Sequence, residues 1–170
     1  MAMPTKHIPL RILRDTREQK PYAFERFGVE CIPATLDTGD YSLPGFEDRV
    51  AVERKSIDDL IGCLMGSDRA RFERELSRGA RYDLFCVVVE SSLEDISKGR
   101  FKSNMKPHAA LQSIFAFQVR YRVPFIWASN RAGGEYVTHS LLSKYLEEIE
   151  KRYRKAIDAE PKESTQAKVA

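Results

Sequence analysis

No stretch of this 170-residue sequence is apolar for the roughly 20 residues that a membrane-spanning helix needs. The opening residues, Met1 to His7, also lack the apolar core of a secretion signal. Cysteine is scarce. The three present, Cys31, Cys63 and Cys86, show no Cys-x-x-Cys spacing. That argues against a disulfide framework and a cysteine-based zinc site, and for reduced thiols in a cytoplasmic or nucleoid-associated protein, nuclear if the source is a eukaryote. The three histidines are isolated and form no metal-ligating pattern. Charge of one sign is missing too: 28 Lys and Arg face 25 Asp and Glu, a net +3 that permits nucleic-acid binding without demanding it. There are no internal repeats. What is there is ordinary globular material, 42% hydrophobic and 31% charged, with length for one domain and a real core. A folded domain is expected over 8–155, after a flexible N-terminus at 1–7. From 156 the chain turns polar around Pro161 and is expected to be a disordered tail.

The pattern along the chain alternates in the α/β manner. Strands are expected at Ile8 to Leu13, within Gly28 to Leu36 (an edge position, because of Pro33), and at Tyr82 to Glu90, an apolar run that reads as a buried central strand. A last strand is expected at Val123 to Ala128. Helices are expected at Ile57 to Met65, Asp68 to Arg78, Ser92 to Ile96 and Pro107 to Tyr121, the last with Leu111, Ile114, Phe115 and Val119 as its buried stripe. A final helix leads from Gly133-Gly134 through Arg154. Its apolar residues Leu141, Leu142, Tyr145, Leu146 and Ile149 are core or interface.

Two short motifs carry chemistry. Gly39-Asp40-Tyr41 follows a turn signal, and Pro44 to Asp48 reads as the next turn before a returning strand, Arg49 to Glu53. Such a hairpin brings Asp40 beside Glu53. Residues two apart on a strand share a face, so Glu53 and Lys55 point one way and Arg54 the other. Two carboxylates and an ammonium group on one surface suit metal-dependent phosphodiester hydrolysis. The competing reading is a solvated surface pair of small energetic weight. Val50, Ala51 and Val52 speak against it, because charges at the end of a buried strand need a partner or a metal. Asp15-Thr16-Arg17-Glu18, after the first strand, adds a further acidic cluster at a strand end.

Taken in order, Asp15-Thr16-Arg17-Glu18, Gly39-Asp40-Tyr41 and Glu53-Arg54-Lys55, followed after three intervening residues by Asp59, resemble the nuclease domain of XPF-type structure-specific endonucleases, over about Leu10 to Glu150. The resemblance implies a restriction-endonuclease-like fold of the PD-(D/E)xK type, a central mixed sheet flanked by helices. It implies Asp15, Asp40 and Glu53 as ligands of Mg²⁺ or Mn²⁺ and Lys55 as the catalytic lysine. Arg17, Glu18 and Arg54 match motif positions. Arg54 is expected to brace the site through a buried ion pair, and Glu18 is a candidate for a second metal or a metal-bound water. Asp59 has a local explanation that we prefer: Ser56 caps the helix, with Asp59 three residues on.

The implied substrate is DNA, branched or flapped, in repair or recombination. A nuclease of unbranched duplex or single-stranded DNA is the alternative, and a non-catalytic DNA-binding subunit is a third reading. DNA contacts are expected from Arg69 and Arg71 and from the basic loop with Lys98, Arg100, Lys102 and Lys106, whose Phe101 either stacks on a base or tucks into the core. A homodimer or a partner-subunit complex is expected by resemblance. No helix-hairpin-helix module or helicase motor is found in the sequence, which leaves branch specificity open.

Overall fold

The computed structural model describes residues 7–159. A six-stranded mixed sheet runs through its middle, built from β1 (Arg11–Asp15), β2 (Glu30–Ala34), β3 (Tyr41–Ser42), β4 (Val50–Lys55), β5 (Leu84–Val89) and β6 (Phe125–Trp127) in the order β2-β1-β3-β4-β5-β6. β3 is antiparallel to both β1 and β4, and the remaining neighbours are parallel. The helices are α1 (Ile57–Gly62), α2 (Gly66–Gly79), α3 (Leu93–Ser97), α4 (Pro107–Tyr121) and α5 (Arg131–Asp158). No helix among the described residues is long and apolar enough to cross a membrane.

Strand alternation divides the core in two. Ala51, Phe85, Val87 and Val89 face α1 to α4, packing on Leu60, Ile61, Phe72, Leu76, Ile114 and Phe117. Val50, Val52, Cys86 and Val88 face the other way, onto Tyr22, Phe24, Leu142 and Leu146. A strand buried on both faces reads as a continuous apolar run, which is why Leu84 to Val89 shows no polar alternation.

Several elements lie as the sequence predicts. The β3–β4 hairpin pairs Tyr41 with Val52. Pro33 sits in the edge strand β2. Ser56 Oγ accepts the Asp59 N–H and caps α1. Others shift. β1 begins at Arg11, not Ile8, because Pro9 has no N–H to give to a ladder. The Ile8 N–H instead donates to Glu150 Oε1 of α5, at 2.8 Å. The buried stripe of α4 is Ala110, Ile114 and Phe117, and Phe115 and Val119 are exposed. At about 100° per residue, Phe115 and Val119 point well away from the face that Ile114 buries. On α5 the apolar stripe is core, with Leu142 and Leu146 against the sheet. That helix runs to Asp158, past the boundary expected at 155, and the rest of the expected tail and 1–6 lie outside the described residues.

Candidate active site

Gly39 makes the site possible. Its φ of +81° lies in the left-handed region, and a Cβ there would stand 2.8 Å from that of Ala51 and 3.2 Å from the Val52 carbonyl oxygen. Only glycine lets the chain approach β4 this closely. Asp40 follows, its N–H donating to Val52 O (2.9 Å) and its carbonyl accepting from Asp15 N–H (2.8 Å). Its side chain is held as well: Oδ2 accepts the backbone N–H of Arg54 at 2.7 Å. Two residues of the hairpin thus meet at one end of the sheet.

Glu53 and Lys55 share the face of β4 that Ala51 turns toward α1 and α2. Glu53 is 4% exposed and ion-paired with Lys55, whose ammonium also lies 5.4 Å from the centre of the Phe72 ring. Burial pushes the Asp40 carboxyl up to about 7 against the pull of the Arg54 N–H and the Lys55 charge. Burial, with Asp40 nearby, also raises Glu53 well above its ordinary value. For Lys55, burial works to lower the pKa, but the charges of Glu53 and Glu75 outweigh it and hold the ammonium above its ordinary value. The pocket therefore holds more carboxylate than one lysine neutralises.

Arg54 points to the opposite face, into the α5 half of the core. Its Nε and Nη2 donate to both oxygens of Glu90 at 2.7 and 2.8 Å, and Nη1 faces Glu18 at 3.5 Å. All three side chains are nearly inaccessible, at 9%, 7% and 8% exposure. Tyr22 Oη adds a hydrogen bond to Glu90 at 2.8 Å, and Arg131 of α5 lies at 3.5 Å from the same oxygen. Arg54 thus clamps β4 to the residues after β1 and β5, while its own backbone N–H orients Asp40. Glu18 meets Arg54 and the Lys20 N–H (2.7 Å) through the same oxygen, Oε1.

Asp15, at the end of β1, is held by hydrogen bonds from the loops around it. Oδ1 accepts from the backbone N–H and Nε of Arg17, both at 2.8 Å, and Oδ2 accepts from Arg17 Nη2 and the Leu36 N–H. These bonds hold its carboxyl below the ordinary value although burial works the other way. Both oxygens are committed to fixing the loops after β1 and β2. Among the described residues no three acidic, histidine or cysteine side chains form a metal-ligating group. The oxygen-donor pair that fits a divalent cation is Asp40 with Glu53. Mg²⁺ is commonly held by one or two carboxylates, with water and substrate phosphate completing its shell.

Of the residues expected to touch DNA, Arg69 is turned inward. Its Nη1 donates to Leu64 O at 3.0 Å and to Ser113 Oγ at 3.3 Å, and its guanidinium lies over the Phe117 ring at 4.7 Å, so it ties α2 to α4. Arg71 is exposed and lies 3.4 Å from Asp68. In the basic loop, Lys98 pairs with Glu94, Arg100 with Asp95 and Lys102 with Asp58. Phe101 packs against the core and is not free to stack on a base. One acid close to the centre escapes the sequence reading: Glu75 of α2, which sits amid alternating charges that look like a solvated face. The signal for it was present in Phe72 and Leu76, the apolar positions that turn that side of α2 toward β4.

Comparisons with known proteins bear on the family and the fold. The chain is 42% identical over 52 residues to the DNA repair endonuclease XPF of Mus musculus, covering 31% of this chain and 5% of that protein. It is 30% identical over 115 residues to the 3'-flap repair endonuclease Xpf of Saccharolobus solfataricus, covering 65% of this chain and 47% of that one. The chain thus spans less than half the length of either relative. XPF from Aeropyrum pernix, in complex with DNA, superposes with a TM-score of 0.61 at 26% identity over 81% of this chain and 65% of that chain. The mixed sheet with helices on both faces is the restriction-endonuclease-like fold of those nuclease domains. The family model of the ERCC4 domain matches residues 14–141, most of the chain, and with the fold in agreement the chain belongs to the ERCC4 domain family.

Proposed function

We propose that this chain is the nuclease module of a metal-dependent, structure-specific DNA endonuclease that acts on flaps, forks or related branched DNA. The observation that carries the reading is the convergence of Asp40, Glu53 and Lys55 at one end of the β3–β4 hairpin. Asp40 and Glu53 would hold Mg²⁺ or Mn²⁺. When bound, the cation supplies phosphate polarisation and a water of lowered pKa. The chain's own contribution is positional and electrostatic. Arg54 orients Asp40 through its backbone N–H and locks β4 through its side chain. Lys55 presents an ammonium group to charge building up on the phosphate, in a pocket dry enough to strengthen that interaction. The test is metal-dependent cleavage of DNA by the wild type and its loss in Asp40→Asn.

DNA enters over the exposed basic loop between α3 and α4. Lys102, 91% exposed at its side chain, and Lys106 are the residues best placed to reach phosphates. Replacing both by glutamine should lower the slope of log affinity against log salt by about 2, since each phosphate contact adds about 0.9 for duplex DNA. The slope is read from DNA-binding isotherms across a NaCl series. A slope equal to that of the wild type removes the loop from the DNA path.

The active form is a homodimer, located where DNA is. Val119 is 82% exposed on α4 beside Phe115, an apolar pair that the core does not use. Light scattering should give twice the chain mass for the wild type and a lower mass for Val119→Glu. An unchanged mass for the variant excludes this face.

A further inference from the structure

Phe72, Leu76 and Gly79 form the buried edge of α2. Gly79 lies so close to β5 that a Cβ there would stand 2.1 Å from the Phe85 ring, so the helix is pressed against the sheet. Phe72 underlies the Lys55 ammonium at 5.4 Å. Glu75 follows three residues later, on the same side of the helix. Three residues further, Arg78 Nε donates to Thr38 Oγ1 at 3.1 Å, two residues before Asp40. Glu75 is therefore bracketed by one side chain beneath Lys55 and another that reaches the segment leading into Asp40. It is half-buried, and Glu53 feels its charge. Asp40, Lys55 and Arg17 all feel its charge. Three carboxyls thus crowd around a single ammonium. Such crowding is unfavourable by itself, and a further cation relieves it.

We propose that Glu75 is a positioning residue of the cation site, accepting hydrogen bonds from the water shell of a divalent ion seated on Asp40 and Glu53. This rests on the nuclease reading of that pair. Glu75 acts through water, because one or two carboxylates commonly complete the protein's share of a Mg²⁺ shell and Asp40 and Glu53 supply them. Partners of this outer kind commonly contribute about 10- to 100-fold in metal affinity.

The test is Mn²⁺ binding, without DNA, followed by electron paramagnetic resonance on the full chain as wild type, Glu75→Gln and Glu75→Ala. Both variants are expected to bind Mn²⁺ at least about 10-fold more weakly. Their melting temperatures without cation should equal or exceed that of the wild type, because a crowded negative charge has been removed. A structural role would lower the melting temperature and leave the affinity alone. Unchanged Mn²⁺ affinity in both variants overturns the assignment of Glu75 while leaving the Asp40–Glu53 site standing. A folded wild type that binds no Mn²⁺ overturns the cation site and the role of Glu75 together.

Discussion

Arg54→Met will lower the melting temperature by roughly 10 °C while filling nearly the same space. The substitution leaves Glu90 and Glu18 buried without their cation, and stranding a buried charge in this way costs about 3–5 kcal/mol. For a domain of this size each kcal/mol moves the midpoint by about 2–4 °C. Glu90 keeps the Tyr22 hydroxyl and the more distant Arg131, which softens the loss without cancelling it. The pH dependence follows from Glu90. Burial works to raise its carboxyl, but the Arg54 bonds outweigh it and hold the group below its ordinary value. Its contribution is therefore complete at neutral pH and is lost as the pH falls through and below the ordinary glutamate range. Thermal melts of wild type and variant at neutral pH should differ strongly and should converge at low pH. Coincident melts at neutral pH would show that the clamp does not hold the sheet together.

Lys55→Ala will lower single-turnover cleavage by about 100- to 1,000-fold, the usual effect of removing one charge-stabilising donor from a sheltered site. The fold will survive. Burial already favours the protonated form of Glu53, so without Lys55 that carboxyl takes up a proton instead of remaining a stranded charge. Lys55→Arg is not expected to restore the rate, because a planar guanidinium does not replace a compact ammonium above Phe72. The measurement is the single-turnover rate on a flap substrate, with a circular-dichroism melt of each variant. A variant that cuts at the wild-type rate removes Lys55 from the chemistry.

Much of this arrangement is legible from local pattern. The alternation in Val50–Lys55 separates Glu53 and Lys55 from Arg54, and the structure puts the first two against α2 and the third into an ion-pair clamp. Pro107 opens α4, and Tyr121 ends it just before a left-handed Arg122. Local pattern fails where a tertiary partner decides. The Leu36 N–H that holds Asp15 Oδ2 comes from 21 residues away, and no local pattern announces it. Arg69 resembles a DNA contact until Ser113 and Phe117 are seen beneath it. Glu75 resembles solvated charge until the close approach of Gly79 to Phe85 presses its helix against the sheet. Period 2 or period 3.6 tells which face a residue occupies, but the crossover connections decide what that face meets.

In the proposed function the Asp40–Glu53–Lys55 constellation cuts DNA. It is tested by incubating end-labelled DNA with wild type and Asp40→Asn in Mg²⁺, in Mn²⁺ and in chelator. The panel comprises single strand, duplex, 3′ flap, 5′ flap and fork. Asparagine keeps an oxygen for the Arg54 N–H and removes a carboxyl that burial pushes up to about 7. Above that pH the buried charge opposes folding, so the variant should be at least as stable as the wild type at pH about 8. The predicted result is cutting near the junctions by the wild type, dependent on the cation and absent in the variant. Equal cutting by both proteins, or cutting that persists in chelator, would contradict the account.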